Sequence, residues 1–292
     1  MVTIETIYFE HSKTGLGFNR MDGMFTEIAR IRPAASFGLL VCFLAWESAA
    51  PAWQAFKAGG RFSHGARNLA LGVINSVVIA TVFAGLWAAA IKASFNTNSG
   101  LLRQFELSPI AAALIAIIAL DLWTYAWHRL NHIVPFFWRF HRVHHSDARM
   151  DVTTATRFHL GEIVLSSLLR VPVLFGLGAD LWHLALYELM MFSVVQFHHS
   201  NIRLPDTIDW LLRLFVVTPA MHRVHHSRDP HHQRSNFTSL LSIWDRIFGT
   251  FVTVEAAETL PLGVEGFDDV RLVGILSSPT AAAGSEPSEQ VV

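Results

Sequence analysis

The chain has 292 residues, 52% of them hydrophobic and only 15% charged, with a net charge of −1. A soluble domain carries about 25% charged residues, so much of this surface must meet something other than water, and the near-zero charge argues against a nucleic-acid partner. A single cysteine, Cys42, excludes an internal disulfide and any cysteine-built zinc or iron–sulfur site.

Residues 1–33 are polar, with Glu5, Glu10, Asp22 and Glu27, and lack the apolar core of a secretory signal. Gly15 and Gly17 mark a loop, and the segment is expected at a membrane surface or loosely ordered. Five apolar runs follow. Ala34 to Ala52 is interrupted by Glu47. Leu69 to Ile91 carries no charge and is long enough to cross a bilayer. Ile110 to Trp127 contains Asp121. Leu160 to Gly178 and Leu181 to Phe197 are separated only by the Gly178-Ala179-Asp180 break, short enough for a helical hairpin. Residues 205–250 are polar but rich in Trp, Leu and Phe, and read as a helical cap. Residues 277–292 have the composition of a disordered tail. The expected divisions are a polar segment (1–33), N-terminal spans (34–108), a catalytic domain (109–251) and a C-terminal segment (252–292).

Three crossings followed by a hairpin return the chain to one side, so everything after Trp127 that is not in a span shares a face with the loop from Lys57 to Arg67. Lys57, Arg61 and Arg67 in a loop without acids point that face to the cytoplasm; Arg30 and Arg32 argue the other way. The aromatic set Trp123, Tyr125, Trp127, Phe136, Phe137 and Trp138 fits an interfacial belt on that side.

Of the sixteen histidines, twelve fall between His128 and His226. His128 and His132 are four apart, and His141, His144 and His145 follow as H-R-V-H-H. The same five letters recur at His222, His225 and His226. Positions i, i+3 and i+4 share a helix face, and adjacent residues such as His144 and His145 diverge by about 100°, which suits two neighbouring ions better than one. A catalytic zinc takes three protein ligands and a structural one four, so eight imidazoles are too many for one ion and right for two. A two-metal hydrolase would be expected to use bridging carboxylates, and H-E-x-x-H is absent. Imidazole-rich binding at a membrane therefore suggests oxygen activation.

Two further candidates flank the spans: His159, at the head of the fourth, and the His198–His199 pair, at the foot of the fifth, with His199 the preferred ligand. His11, His64, His183, His231 and His232 have ordinary structural readings. Asp121, Asp147, Asp151, Glu162, Asp209, Asp229, Asn236 and Asp245 are candidates to orient ligand imidazoles. Asp121 and Glu162 are the strongest, because a charge in an apolar span is costly and tends to be functional.

At these residues the chain resembles the fatty acid hydroxylase superfamily, also called the sterol desaturase family. The family pattern of H-x-x-x-H, H-x-x-H-H and a later H-x-x-H-H is matched by His128/His132, His141/His144/His145 and His222/His225/His226. Arg157-Phe158-His159 with Glu162, His199-Ser200-Asn201, and Asn236 with Trp244-Asp245-Arg246 and Phe248-Gly249-Thr250 extend the likeness over about Ile110 to Phe251. Leu160, Phe237-Thr238 and His198 depart from it, at positions where relatives often carry proline, Tyr-Gly and glutamine; none removes a core histidine. The resemblance implies an all-α integral membrane protein of four to five spans, with a cytoplasmic helical cap holding a histidine-lined di-metal site. It further implies two iron ions, O2 as co-substrate, and hydroxylation or desaturation of a C–H bond on a lipid, sterol or related alkyl chain. No fused haem-binding H-P-G-G stretch is present, so the electron donor is expected to be a separate reductase, ferredoxin or cytochrome. The implied metal ligands are His128, His132, His141, His144, His145, His159, His199, His222, His225 and His226. A membrane-embedded zinc-dependent lipid hydrolase and a non-enzymatic metal transporter are the alternative readings.

Overall fold

Serine, threonine and proline set several of the helix starts. Ser108 caps the helix Pro109–Ile133 through the Ala111 N–H, with Pro109 in the first turn, where its missing N–H costs nothing. The computed structural model describes residues 16–53, 55, 56, 60–265, 267 and 272–277. They are helical with no named strand: α1 (Leu16–Ala49), α2 (Arg61–Val78), α3 (Ala84–Asn96), α4 (Pro109–Ile133), α5 (Pro135–His145), α6 (Leu160–Leu177), α7 (Leu181–His199), α8 (Asp206–Leu212), α9 (Pro219–His225), α10 (Pro230–Gln233), α11 (Ile243–Ile247) and α12 (Leu272–Ser277). A π turn, Ile79–Phe83, joins α2 to α3 without a break.

Among the described residues, four helices are long and apolar enough to cross a membrane: Glu27–Ala49, Arg61–Gln104, Pro109–Ile133 and Leu160–Leu177. With the low charge, they make this an integral membrane protein. The fifth expected run is a helix, α7, but it falls outside that set because it carries His183, Glu188 and Gln196. Glu188 pairs with Arg170 of α6 and Arg32 of α1. α7 therefore spends its polar groups inside the bundle, packed between α1 and α4.

Two expectations need correcting. Gly17 lies inside α1 rather than in a loop, since that helix begins at Leu16. The second span starts well before Leu69, because His64, Asn68 and Asn75 of α2 are buried against protein, not lipid. Asn68 donates to the Thr153 hydroxyl at 3.0 Å and Asn75 to the Phe158 carbonyl at 3.0 Å. Lys57 and the tail beyond 277 lie outside the described residues.

The apolar core lies between α3, α4, α6 and α7, around Phe83, Trp87, Ile91, Leu120, Leu174 and Tyr187. At one end of the bundle Gly100 and Gly178 meet so closely that a Cβ on Gly100 would come within 2.6 Å of Gly178. Gly178 also has φ +69°, the left-handed conformation that ends α6. The histidine-rich ends of α4 and α7, the N-termini of α2 and α6, and α5 and α9 all gather at the opposite end.

Candidate metal centre

The site begins with a proline. Val134 is held extended by Pro135, so α4 stops at Ile133 and α5 folds back beside it. His141, His144 and His145 thereby face His128 and His132. Thr218 and Pro219 start α9 in the same way and bring His222, His225 and His226 in from the cap, while α7 ends in His199.

Nine of the ten expected ligands converge, in two groups. His128, His132, His141, His145 and His225 form one; His144, His199, His222 and His226 form the other. All nine are buried. In the first group the Nε2 atoms of His141 and His225 lie 3.0 Å from that of His128, and that of His132 lies 3.3 Å from it. In the second, the Nε2 pairs His144–His199, His199–His222 and His222–His226 are each 3.1 Å apart. A metal about 2.1 Å from each nitrogen sets neighbouring ligands roughly 3.0 Å apart in octahedral and roughly 3.4 Å apart in tetrahedral geometry, so these spacings fit a cation.

Ring planes sort the histidines further. His145 and His226 stack almost parallel, 4.3 Å apart at 14°. An imidazole lone pair lies in the ring plane, so two stacked rings cannot aim at one ion, and these two fall in different groups. His144 and His145 are nearly perpendicular, at 86°, and likewise separate. His198, the neighbour set aside in favour of His199, stacks on His222 at 3.9 Å and 7°. It packs against a ligand ring rather than joining its set.

The outward nitrogens are held. Nδ1 of His128, His225, His144 and His199 donates to the carbonyls of Phe237 (2.6 Å), Ser235 (2.7 Å), Arg157 (3.2 Å) and Val195 (2.7 Å). His141 Nδ1 donates to Glu162 Oε1 at 2.9 Å. A proton fixed on Nδ1 leaves Nε2 as the inward lone pair. Both ring nitrogens of His145, and Nδ1 of His222 and His226, are buried without a hydrogen-bond partner. Such groups are costly unless something in the pocket engages them.

His159 does not join either group. Its Nδ1 accepts the Gly161 N–H at 2.9 Å, capping α6, and Nε2 lies 3.1 Å from the Leu276 carbonyl. Of the supporting acids, Glu162 touches a ligand directly. Asp245 accepts from the N–H groups of Phe237 (2.8 Å) and Thr238 (3.1 Å) and thus anchors the strip whose Phe237 carbonyl meets His128. Asp121 serves the cap instead, accepting from Leu241 N–H (3.0 Å) and Trp244 Nε1 (2.8 Å). Asp151 and Asp229 cap short turns, and Asp209 pairs with Arg213.

A buried polar layer beside the second group escaped the sequence reading. His64 Nε2 lies 2.9 Å from both oxygens of Asp147. Arg157, fully buried, donates to the Val143 carbonyl, Asn68 and Ser146. Burial alone would raise the Asp147 carboxyl, but the His64 ring and Arg157 hold it well below the usual carboxylate range. Glu47 of α1 accepts from the N–H groups of Val152 (3.1 Å) and Asn201 (2.8 Å), fixing the chain just beyond His199. A charge inside the first apolar run was the one signal for it.

Burial and the neighbouring imidazoles lower the proton affinity of His144, His145, His222 and His226 well below the usual value, and burial brings His225 from 6.5 to about 3. A base whose folded pKa is depressed stays neutral in the fold while the unfolded chain takes up its proton. Stability is thus fully present above pH 6.5 and lost as pH falls toward about 3. The Tm of metal-free protein in detergent is expected to drop steadily over that window. A flat profile would mean that these rings are not held neutral.

Fold and site together define a helical membrane protein with a two-part histidine pocket at one end of its bundle. Residues 113–250 match the family model described as fatty acid hydroxylase. Alkylglycerol monooxygenase of Xenopus tropicalis is 33% identical over 140 residues, 47% of this chain and 30% of that protein. The ornithine lipid hydroxylase OlsE of Rhizobium tropici is 28% identical over 208 residues, 68% of this chain and 62% of that protein. The fatty acid hydroxylase vlmA of Lecanicillium sp is 31% identical over 161 residues, 51% of this chain and 43% of that protein. The chain thus spans less than two thirds of the length of each. No solved structure matches it.

Proposed function

We propose that this protein is an O2-dependent hydroxylase or desaturase that acts on a C–H bond of a lipid or related alkyl substrate in the membrane, with two iron ions held by the nine converging histidines. The observation that carries this reading is the pair of adjacent, buried, all-imidazole groups; the names of the lipid-modifying relatives give it the substrate class. Five imidazoles in one group exceed the four ligands of a structural zinc. When bound, iron supplies the redox chemistry that activates O2, with two electrons from a separate reductase, ferredoxin or cytochrome. In hydroxylation these electrons and two protons turn substrate and O2 into an alcohol and water.

The chain's own residues present neutral nitrogen ligands, fix their tautomers and keep water out. Phe158 stacks on His144 at 4.3 Å, and Trp138 lies 5.1 Å from His132. The most open of the nine residues are His128 and His132, 8% and 7% exposed, both on the membrane-crossing α4. An alkyl chain arriving from the bilayer meets that side first. Residues 109–251 form the catalytic unit in this reading, scaffolded by the spans within 34–108. Arg129, Arg139, Arg142 and Arg149 sit at the histidine end, whereas the far-end loops mix Arg103 with Glu106 and Asp180. By the positive-inside tendency the histidine face is cytoplasmic.

Lipid extracts of cells with and without the gene, beside a His144→Ala control, test the function. A lipid gaining one oxygen, or losing two hydrogens, only with the intact protein is the expected result. Purified protein should carry close to two irons per chain. Zinc alone, with free fatty acid released, would overturn the proposal in favour of a hydrolase.

A further inference from the structure

The cap carries an apolar face that the metal centre does not use. Along α8 and the turn after it, Trp210, Leu211, Leu214 and Phe215 are exposed, Phe215 at 65% and Trp210 at 59%. On and just after α11, Ile247 (59%) and Phe248 are exposed as well. The two stretches are one unit. The Ser242 N–H donates to the Phe215 carbonyl, the Val217 N–H donates to the Leu240 carbonyl, and Arg246 donates to the Arg213 carbonyl.

The depth of this unit is set by α4. Asp121 holds Leu241 and Trp244, and Tyr125 stacks on Phe248 with centroids 5.1 Å apart. Asp121 is twelve residues from Pro109, a rise of roughly 18 Å, and Tyr125 is at roughly 24 Å. The hydrocarbon core is about 30 Å thick. With α4 upright and Pro109 taken at the far boundary, Asp121 lies about 12 Å, and Tyr125 about 6 Å, inside the near one. Tilt moves both deeper. Whatever is fastened to these residues shares their depth. The lipid-facing surface of α4, with Leu114 56% and Ile118 46% exposed, runs toward the same level.

We propose that the α8–α11 face is sunk into the bilayer leaflet on the histidine side, with lipid acyl chains as its partner, so that this part of the cap is a membrane-embedded shelf rather than a water-facing lid. Several of its backbone groups pair within the unit and with Asp121, as hydrocarbon demands. The proposal does not depend on the proposed activity.

Site-directed spin labelling tests it with the full chain in phosphatidylcholine vesicles. Phe215→Cys and Ile247→Cys are each made on a Cys42→Ser background and labelled with a nitroxide. Leu114→Cys serves as a lipid-exposed standard and the exposed Arg234→Cys as a water-exposed one. The expected result is collision with O2 strongly favoured over collision with a water-soluble nickel chelate, as at Leu114. Accessibility matching that at Arg234 would overturn the proposal. So would protection from both reagents, which would mean a second copy of the chain, or another protein, on the patch. Leu211→Cys replaces either variant that loses its native elution profile.

Discussion

His145→Ala and His226→Ala are expected to strip metal from different sites, although the two rings touch. They stack in parallel, 4.3 Å apart, and their lone pairs run side by side. His145 belongs with His128, His132, His141 and His225, and His226 with His144, His199 and His222. Each substitution should lower bound metal from about two toward about one per chain. Loss of a residue that merely orients a ligand costs about 10–100-fold in metal affinity or activity, so loss of a ligand should cost at least that. In activity the double variant should be little worse than either single one, because groups that act as a unit are not additive, whereas its bound metal should fall below that of both. Metal analysis beside product formation reads all three. If both single variants kept two metals, or if the activity losses multiplied, the two-site partition would be wrong.

That partition marks the limit of what the residues alone could tell. Spacings of three and four placed imidazoles on helix faces, and the 100° divergence of neighbours separated His144 from His145, as the structure does. Which distant histidine joins which group was not legible. It depends on the sharp turn at Val134–Pro135 and on α9 arriving from the cap. His159 shows the converse problem: beside a helix start, an imidazole that caps reads the same as one that ligates. His64 and Glu47 were missed because their partners are distant in the chain, 83 residues to Asp147 and 105 to Val152. The charge-free apolar run begins only at Leu69, so the start of α2 at Arg61 was not legible in it. In fact Asn68 and Asn75 bury against the chain between the second and third histidine-bearing segments. The cap was read as polar from its composition. Only the pinning of Leu241 and Trp244 by Asp121 reveals how deep it sits.

Asp245→Ala should be the most damaging change away from the histidines. The Asp245 carboxylate, pushed up by burial but opposed by its donors, accepts from four groups. These are the N–H groups of Phe237 and Thr238 and the hydroxyls of Thr238 and Thr250, the last two at 2.7 Å. Next to it Asn236 takes the left-handed conformation, φ 52°, held by bonds to the Met221 and Val252 carbonyls. That reversal turns the flanking carbonyls of Ser235 and Phe237 onto Nδ1 of His225 and His128. Alanine at 245 strands two buried backbone N–H groups at about 1–3 kcal/mol each, a loss of roughly 4 kcal/mol against a total stability of about 5–15 kcal/mol. It also frees the Phe237 carbonyl, so metal affinity of the first group should fall about 10–100-fold. Asp245→Asn keeps one acceptor and should lie between alanine and wild type in both Tm and metal content. A variant that lost stability while binding metal as tightly as wild type would show that this strip braces the cap alone and leaves His128 and His225 to orient themselves.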